Sequence, residues 1–225
     1  MGTGGIWEIN AWTLIKAGGP IMIPIILCSV FAVAIVIEKF MYFASIQTNI
    51  ALFKKQVFES IKNNHIKAAI ELCEKNPSPL AAIFKAGLEK FGSPRESIKE
   101  TMEGASLVEI PLLEKKLNTL ATIAHVSPLL GLLGTAAGLM NCFYTIQTRS
   151  AALNPITPGD LSGGITQALI TTIAGLMVAI PAYVAYNYFV SRVDDIILEM
   201  ERGATELINF MSDIIENRGS EKGLS

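Results

Sequence analysis

The sequence predicts an all-α, three-span integral membrane protein whose long helices extend into a cytoplasmic helical bundle. Two stretches, Leu117 to Thr148 and Leu161 to Ser191, carry no Asp, Glu, Lys or Arg, and Ala17 to Ile37 is a third charge-free apolar run. Each reaches the roughly 20 apolar residues that an α-helix needs to cross a hydrocarbon core about 30 Å thick. Most charged residues fall between and after these runs, on segments with helical spacing. Over the 225 residues 51% are hydrophobic, 17% are charged and the net charge is −2, a balance that fits spans joined by one soluble region and gives no basis for binding nucleic acid.

In chain order, residues 1–16 form a weakly charged N-terminal segment before the first span, residues 17–37. That span leads into Glu38-Lys39-Phe40 with no small-residue cleavage site, so it reads as a retained anchor rather than a cleaved signal. Residues 38–116 follow as a helical region, with short helices expected at Ile50 to Lys62, Ile66 to Lys75 and Leu80 to Phe91. Ser93-Pro94-Arg95-Glu96 is a capping-box pattern, which places Ser93 at the N-cap, Pro94 at the first helical position and Glu96 where it can reach back to the cap. From there Ile98, Met102, Ala105, Leu113, Leu117 and Leu120 continue at mostly helical spacing into the second span, residues 117–148, with a bend expected at Pro111. A short loop, residues 149–160, leads to the third span, residues 161–191. Beyond it Val193, Ile196, Ile197, Met200, Ala204, Leu207, Ile208 and Met211 form an apolar stripe along a charged helix in the C-terminal segment, residues 192–225. Two such stripes and the short helices are enough for a helical bundle.

Lys and Arg set the orientation. Lys54, Lys55, Lys62, Lys67, Lys115 and Lys116 lie in the large segment, whereas the loop between spans two and three holds only Arg149. By the positive-inside rule the large segment and the C-terminus are cytoplasmic, and the N-terminus and the short loop are extracytoplasmic. Tyr42, Tyr144, Tyr186 and Tyr188 sit at span ends, as an aromatic belt does.

Within the spans small residues prevail. Gly131, Gly134 and Gly138 lie near one helix face with Thr135 and Cys142 beside them, and Gly134 with Gly138 makes a GxxxG pair. In the third span Ala168, Thr172, Gly175, Ala179 and Ala182 make a second smooth face. This pattern predicts close helix contact and leaves open whether it packs the two spans of one subunit or also serves neighbouring subunits. Pro128 and Pro181 each free a backbone carbonyl inside a span, and local kinks are expected there. His125, near the cytoplasmic end of span two, is either an interfacial packing residue or a proton entry or exit group, since imidazole titrates near neutral pH.

Catalysis is not expected. The spans hold no carboxylate pair, no metal-ligand cluster and no Ser with a base close by in sequence. Cys28, Cys73 and Cys142 lack metal-ligand spacing and read as packing residues, so neither a metal nor a cofactor is predicted. Internal repeats and further spans, the usual marks of a secondary transporter, are missing.

The stretch Pro128-Leu129-Leu130-Gly131-Leu132-Leu133-Gly134-Thr135 with Gly138-Leu139-Met140 resembles the second-span signature of the ExbB/TolQ/MotA proton-channel family. Residues 164–172 (Gly-Ile-Thr-Gln-Ala-Leu-Ile-Thr-Thr), Gly175-Leu176, residues 179–182 (Ala-Ile-Pro-Ala) and residues 185–187 (Ala-Tyr-Asn) resemble the next signature. Gly18-Gly19-Pro20, Pro24, Ser29 and Glu38-Lys39 resemble the first span of the ExbB branch. The resemblance implies a bacterial inner-membrane motor subunit. It implies a homo-oligomeric ring, a pentamer, around the span of an ExbD/TolR-like partner that carries an intramembrane Asp, with a TonB- or TolA-like protein energised in turn and lipid around the assembly. It places Thr135 and Thr172 among the pore-lining threonines and Gln167 where other members carry Glu. Gln exchanges no proton, so no relay role passes to it. The ExbB-like first span favours envelope transport. TolQ-like envelope maintenance and a flagellar-type stator are the alternatives within the family, although stators resemble four-span proteins. Outside the family, a non-conducting membrane scaffold is the alternative.

Overall fold

The structure is a computed structural model that describes residues 11–46 and 50–222, and among them every regular element is an α-helix. The helices are α1 (Ala11–Ala17), α2 (Met22–Ile46), α3 (Ile50–Lys62), α4 (Ile66–Lys75), α5 (Pro79–Glu89), α6 (Arg95–Glu114), α7 (Leu117–Ala151) and α8 (Pro158–Lys222). Three helical stretches, which contain α2, α7 and α8, are long and apolar enough to cross a membrane. Residues 1–10 of the N-terminal segment and the last residues of the C-terminal tail lie outside the described residues. The chain divides into two compact units, one of residues 1–38 and 116–187, the other of residues 39–115 and 188–225.

The first unit contains α1, the start of α2, α7 and the first part of α8. Its opening differs from the expected uninterrupted run at Ala17. Gly19 adopts φ +71°, which breaks the chain between α1 and α2, so the long helix begins at Met22. α7 starts after Lys116, a lysine at φ +68°. A non-glycine residue there is unfavourable, and the ammonium of Lys116 donates to Glu38 Oε1 at 2.6 Å. Pro128 and Pro181 both lie inside helices that run on past them.

The second unit contains α3, α4, α5, α6 and the ends of α2 and α8. Helices α3 to α6 pack in sequence order, each against the next. The expected α3 and α4 appear with the boundaries read from the sequence. α5 starts at Pro79 and ends at Glu89, with Ser78 as its N-cap accepting from the Ala81 N–H at 3.3 Å. Its buried Phe84 meets Phe53 of α3, and Phe58 meets Phe210 of α8 with ring centroids 5.0 Å apart. The C-terminal stripe is buried as expected at Val193, Met200, Leu207, Ile208 and Met211.

One expectation for α6 is corrected. The helix begins at Arg95 with Pro94 at the cap and no side-chain capping bond, so Ser93 and Glu96 do not form the capping box. Pro111 lies within α6, and the break comes beyond it, at Lys115 and Lys116. The carbonyl that Pro111 leaves without its helical donor belongs to Leu107, a residue 73% exposed, where water can satisfy it. The end of α6 has its own cap. Buried Lys39 donates to the Leu113 carbonyl at 2.7 Å, one of the last-turn acceptors that a helix leaves unpaired, and its ammonium lies 5.3 Å from the Tyr42 ring centre.

Cys73 is 3% exposed on α4, and burial pushes its thiol up to about 12. The thiolate is the nucleophile, so Cys73 is expected to resist a maleimide at neutral pH in the folded protein and to react readily once dodecyl sulfate unfolds it. Labelling of the native protein at the rate of a free thiol, read by mass spectrometry, would mean that this face of α4 is open.

Candidate functional site

The site is the antiparallel pair formed by α7 and the first part of α8. Gly131, Gly134, Gly138 and Cys142 are buried on one face of α7, as the GxxxG spacing predicts. They meet Gly164, Ala168, Thr171, Thr172 and Gly175 of α8. A Cβ on Gly138 would stand 2.4 Å from the Gly164 carbonyl oxygen, and one on Gly164 would stand 2.4 Å from the Gly138 oxygen. A Cβ on Gly175 would stand 2.5 Å from the Ser127 oxygen. These contacts are with backbone, so the two helices approach as closely as main chains allow. Ala179 is also buried. Among the described residues, then, the small-residue face joins spans two and three of one chain.

This close approach positions Thr135 and Thr172. Their hydroxyl oxygens are 2.6 Å apart across the two helices, and both residues are partly buried. Further acceptors surround the pair: Thr172 Oγ1 lies 3.1 Å from the Ala168 carbonyl and Thr135 Oγ1 lies 3.3 Å from the Gly131 carbonyl. A hydroxyl has one proton and two lone pairs. When Thr135 donates to Thr172, Thr172 donates to Ala168 or, across the interface at 3.3 Å, to Gly131; when Thr172 donates to Thr135, Thr135 donates to Gly131 or, across the interface at 3.4 Å, to Ala168. Its polarity can reverse without moving a heavy atom.

Toward the loop, Gln167 Oε1 accepts from Asn141 Nδ2 at 3.0 Å. Asn141 was not singled out from the sequence. The signal was its position one helical turn after Gly138, but a lone Asn on a span gives no partner until the two helices are aligned. Gln167 also lies over Gly19, where a Cβ would come within 2.6 Å of its Nε2. Counted along α7, Asn141 lies six residues, about 9 Å, from Thr135. Two buried hydroxyls were missed as well, Ser127 and Thr171, which bond to carbonyls of their own helices and fill the interface.

At the other end His125 Nδ1 lies 2.7 Å from the Ala121 carbonyl oxygen, and the imidazole meets the Tyr183 ring edge-on at 6.2 Å. His125 is exposed and is not drawn into the Thr135 and Thr172 pair. Beyond the spans the loop is fastened by Asp160, which accepts from the Thr157 hydroxyl at 2.7 Å, from the Thr157 N–H at 3.0 Å, and from Arg149. The Thr157 hydrogen bonds, with the Arg149 charge behind them, hold the Asp160 carboxyl below the usual carboxylate range. No group of three or more His, Cys, Asp or Glu able to hold a metal occurs among the described residues.

The model of the MotA/TolQ/ExbB proton channel family matches residues 75–202. The chain is 36% identical over 174 residues to ExbB-like 3 of Synechocystis sp., a match covering 77% of this chain and 81% of that protein. It is 39% identical over 126 residues to the Tol-Pal system protein TolQ of Haemophilus influenzae, covering 51% of this chain and 53% of TolQ. The biopolymer transport protein ExbB of Aquifex aeolicus is 33% identical over 115 residues, covering 51% of this chain and 74% of that protein. With the matched region running from the end of α4 through both helices of the hairpin and more than half of the chain covered, the protein belongs to the MotA/TolQ/ExbB proton channel family.

Proposed function

We propose that this chain is an inner-membrane subunit of a proton-driven motor of the ExbB type, repeated as a ring, a pentamer, around the single span of an ExbD/TolR-like partner. The observation that carries the reading is the Thr135 and Thr172 hydroxyl pair set in two spans that contain no carboxylate. A hydroxyl pair of reversible polarity passes hydrogen bonds along a path but does not itself take up or release a proton in the accessible range. The titrating carboxyl then belongs to the partner, and this chain supplies the polar wall and the cytoplasmic frame. Asn141 and Gln167 extend the wall outward. Neither of these carboxamides carries charge. In this reading the N-terminus lies outside, the C-terminus is cytoplasmic, and ring contacts use α7 and α8 surfaces beyond the glycine face already occupied within the chain. Relatives bear both ExbB and TolQ names, and the first span favours transport over envelope maintenance.

The test is reconstitution. Co-purification with a single-span protein bearing an intramembrane Asp, followed by counting subunits, is expected to give a complex with several copies of this chain. Liposomes holding this chain alone, given a pH gradient and a potassium diffusion potential, are expected to stay as proton-tight as empty ones and to become permeable only with the partner. A proton leak through the partner-free protein would overturn the division of labour, and failure of any such partner to co-purify would favour a scaffold.

A further inference from the structure

We infer that His125 is a proton-exchange group on the cytoplasmic side of the path and that it takes up and gives back its proton at Nε2 alone. The inference rests on the motor reading for its purpose, but its chemistry comes from one contact. A backbone carbonyl oxygen only accepts hydrogen bonds, so the 2.7 Å approach of Nδ1 to the Ala121 oxygen requires a proton on Nδ1. In the neutral ring Nε2 is then the free lone pair, and no hydrogen bond or ion pair joins it to another group among the described residues. Protonation adds one proton to Nε2 from water and leaves the Nδ1–H on its carbonyl; release returns that proton to water. The ring need not turn in either direction.

Its surroundings suit the task. On α8 the facing titratable group is Tyr183, edge-on with ring centroids 6.2 Å apart, and among the described residues no ion pair joins the imidazole to an acidic side chain. The residue is exposed on its own chain. Its position is also informative. His125 lies eight residues, about 12 Å, from the first residue of the charge-free run and ten residues, about 15 Å, short of Thr135. That places it inside the cytoplasmic headgroup layer or just below it, where a charged imidazolium is still near water. A packing histidine would satisfy both nitrogens or bury the ring, and this ring does neither.

The chain has two histidines, so a His65→Asn variant reports on His125 alone. In the ¹⁵N-labelled variant in nanodiscs, imidazole spectra are expected to show the Nδ1–H tautomer at high pH and, as the pH falls, uptake of the second proton at Nε2 with the Nδ1 hydrogen bond kept. An Nε2–H tautomer, or proton uptake that breaks the Nδ1 hydrogen bond, would overturn the inference whatever the motor does. In liposomes holding the chain with its co-purified partner and compared at equal proton gradient, His125→Gln, which keeps polarity without a titrating group, is expected to change the dependence of proton flux on the pH of the cytoplasmic side, leaving only the part set by the partner's carboxyl. Flux that keeps the wild-type profile would overturn the inference, whereas a wild-type complex that moves no protons would count against the motor reading and leave the spectra to decide the tautomer.

Discussion

Gly138→Leu is expected to separate α7 from α8 and leave little folded protein in the membrane. The site for a Cβ is 2.4 Å from the Gly164 carbonyl oxygen and 2.9 Å from the Ala168 nitrogen, both backbone atoms that move only if the helices part. Inserting extra methylenes into a packed interior costs about 1–3 kcal/mol when side chains can yield, and here they cannot. A finer comparison uses two adjacent glycines of α8. Gly164→Ala brings a methyl within 2.4 Å of the Gly138 oxygen and 2.5 Å of Cys142 Sγ, whereas Gly163→Ala meets nothing within 4 Å. Alanine favours helix over glycine by about 0.8–1.0 kcal/mol at either position, so propensity alone raises stability equally. Thermal unfolding in mild detergent should therefore show a lower midpoint for Gly164→Ala and an unchanged or higher one for Gly163→Ala. Equal midpoints would mean that the main chains are not in contact at this level.

Much of this was legible in the sequence because the bilayer imposes one overriding constraint on what can sit inside it. A span without charged residues leaves few alternatives, and the spacing of Gly131, Gly134 and Gly138 specified the buried face of α7 before any partner was known. The apolar stripe from Val193 to Met211 was legible for the same reason, since period and burial coincide. What the sequence misplaced were local features decided by distant groups. The break between α6 and α7, unmarked in the sequence, falls at Lys116, whose left-handed backbone is accompanied by an ion pair with Glu38, 78 residues away. Ser93 has the chemistry of a cap, yet α6 starts one residue later, and its other end is capped by Lys39 from a different helix. Asn141 was missed because a carboxamide declares a role only when Gln167 is placed opposite it. Thr135 and Thr172 are the mixed case. Motif resemblance selected them; in the structure each hydroxyl also reaches a carbonyl of its own helix, with the shortest contact between the two side chains.

The double variant Thr135→Val, Thr172→Val is expected to assemble with its partner and lose most proton-driven activity. Valine keeps the branched shape of threonine, so the helix contact survives, and the hydrogen bond removed across the interface is of a kind that averages about 0.6 kcal/mol in membrane helices. No acceptor is stranded without its own helical donor, because the Gly131 and Ala168 carbonyls remain within α7 and α8. Function depends on something else. A proton carried on a partner carboxyl passes a polar wall only if the wall accepts and donates in turn, which the hydroxyl pair does by reversing its polarity and two methyl groups cannot do. Losing one hydrogen bond of about 0.6–1.4 kcal/mol at the point of passage corresponds to about a threefold to tenfold loss of rate, and both hydroxyls are removed together. Each single variant should show an intermediate loss, since one remaining hydroxyl still reaches a carbonyl but has lost its 2.6 Å partner. The measurement is proton flux through the reconstituted complex, normalised to subunits counted in the same preparation. Wild-type flux in the double variant would show that the hydroxyls only brace the hairpin, and the proton path would then have to run along another face of α7 and α8.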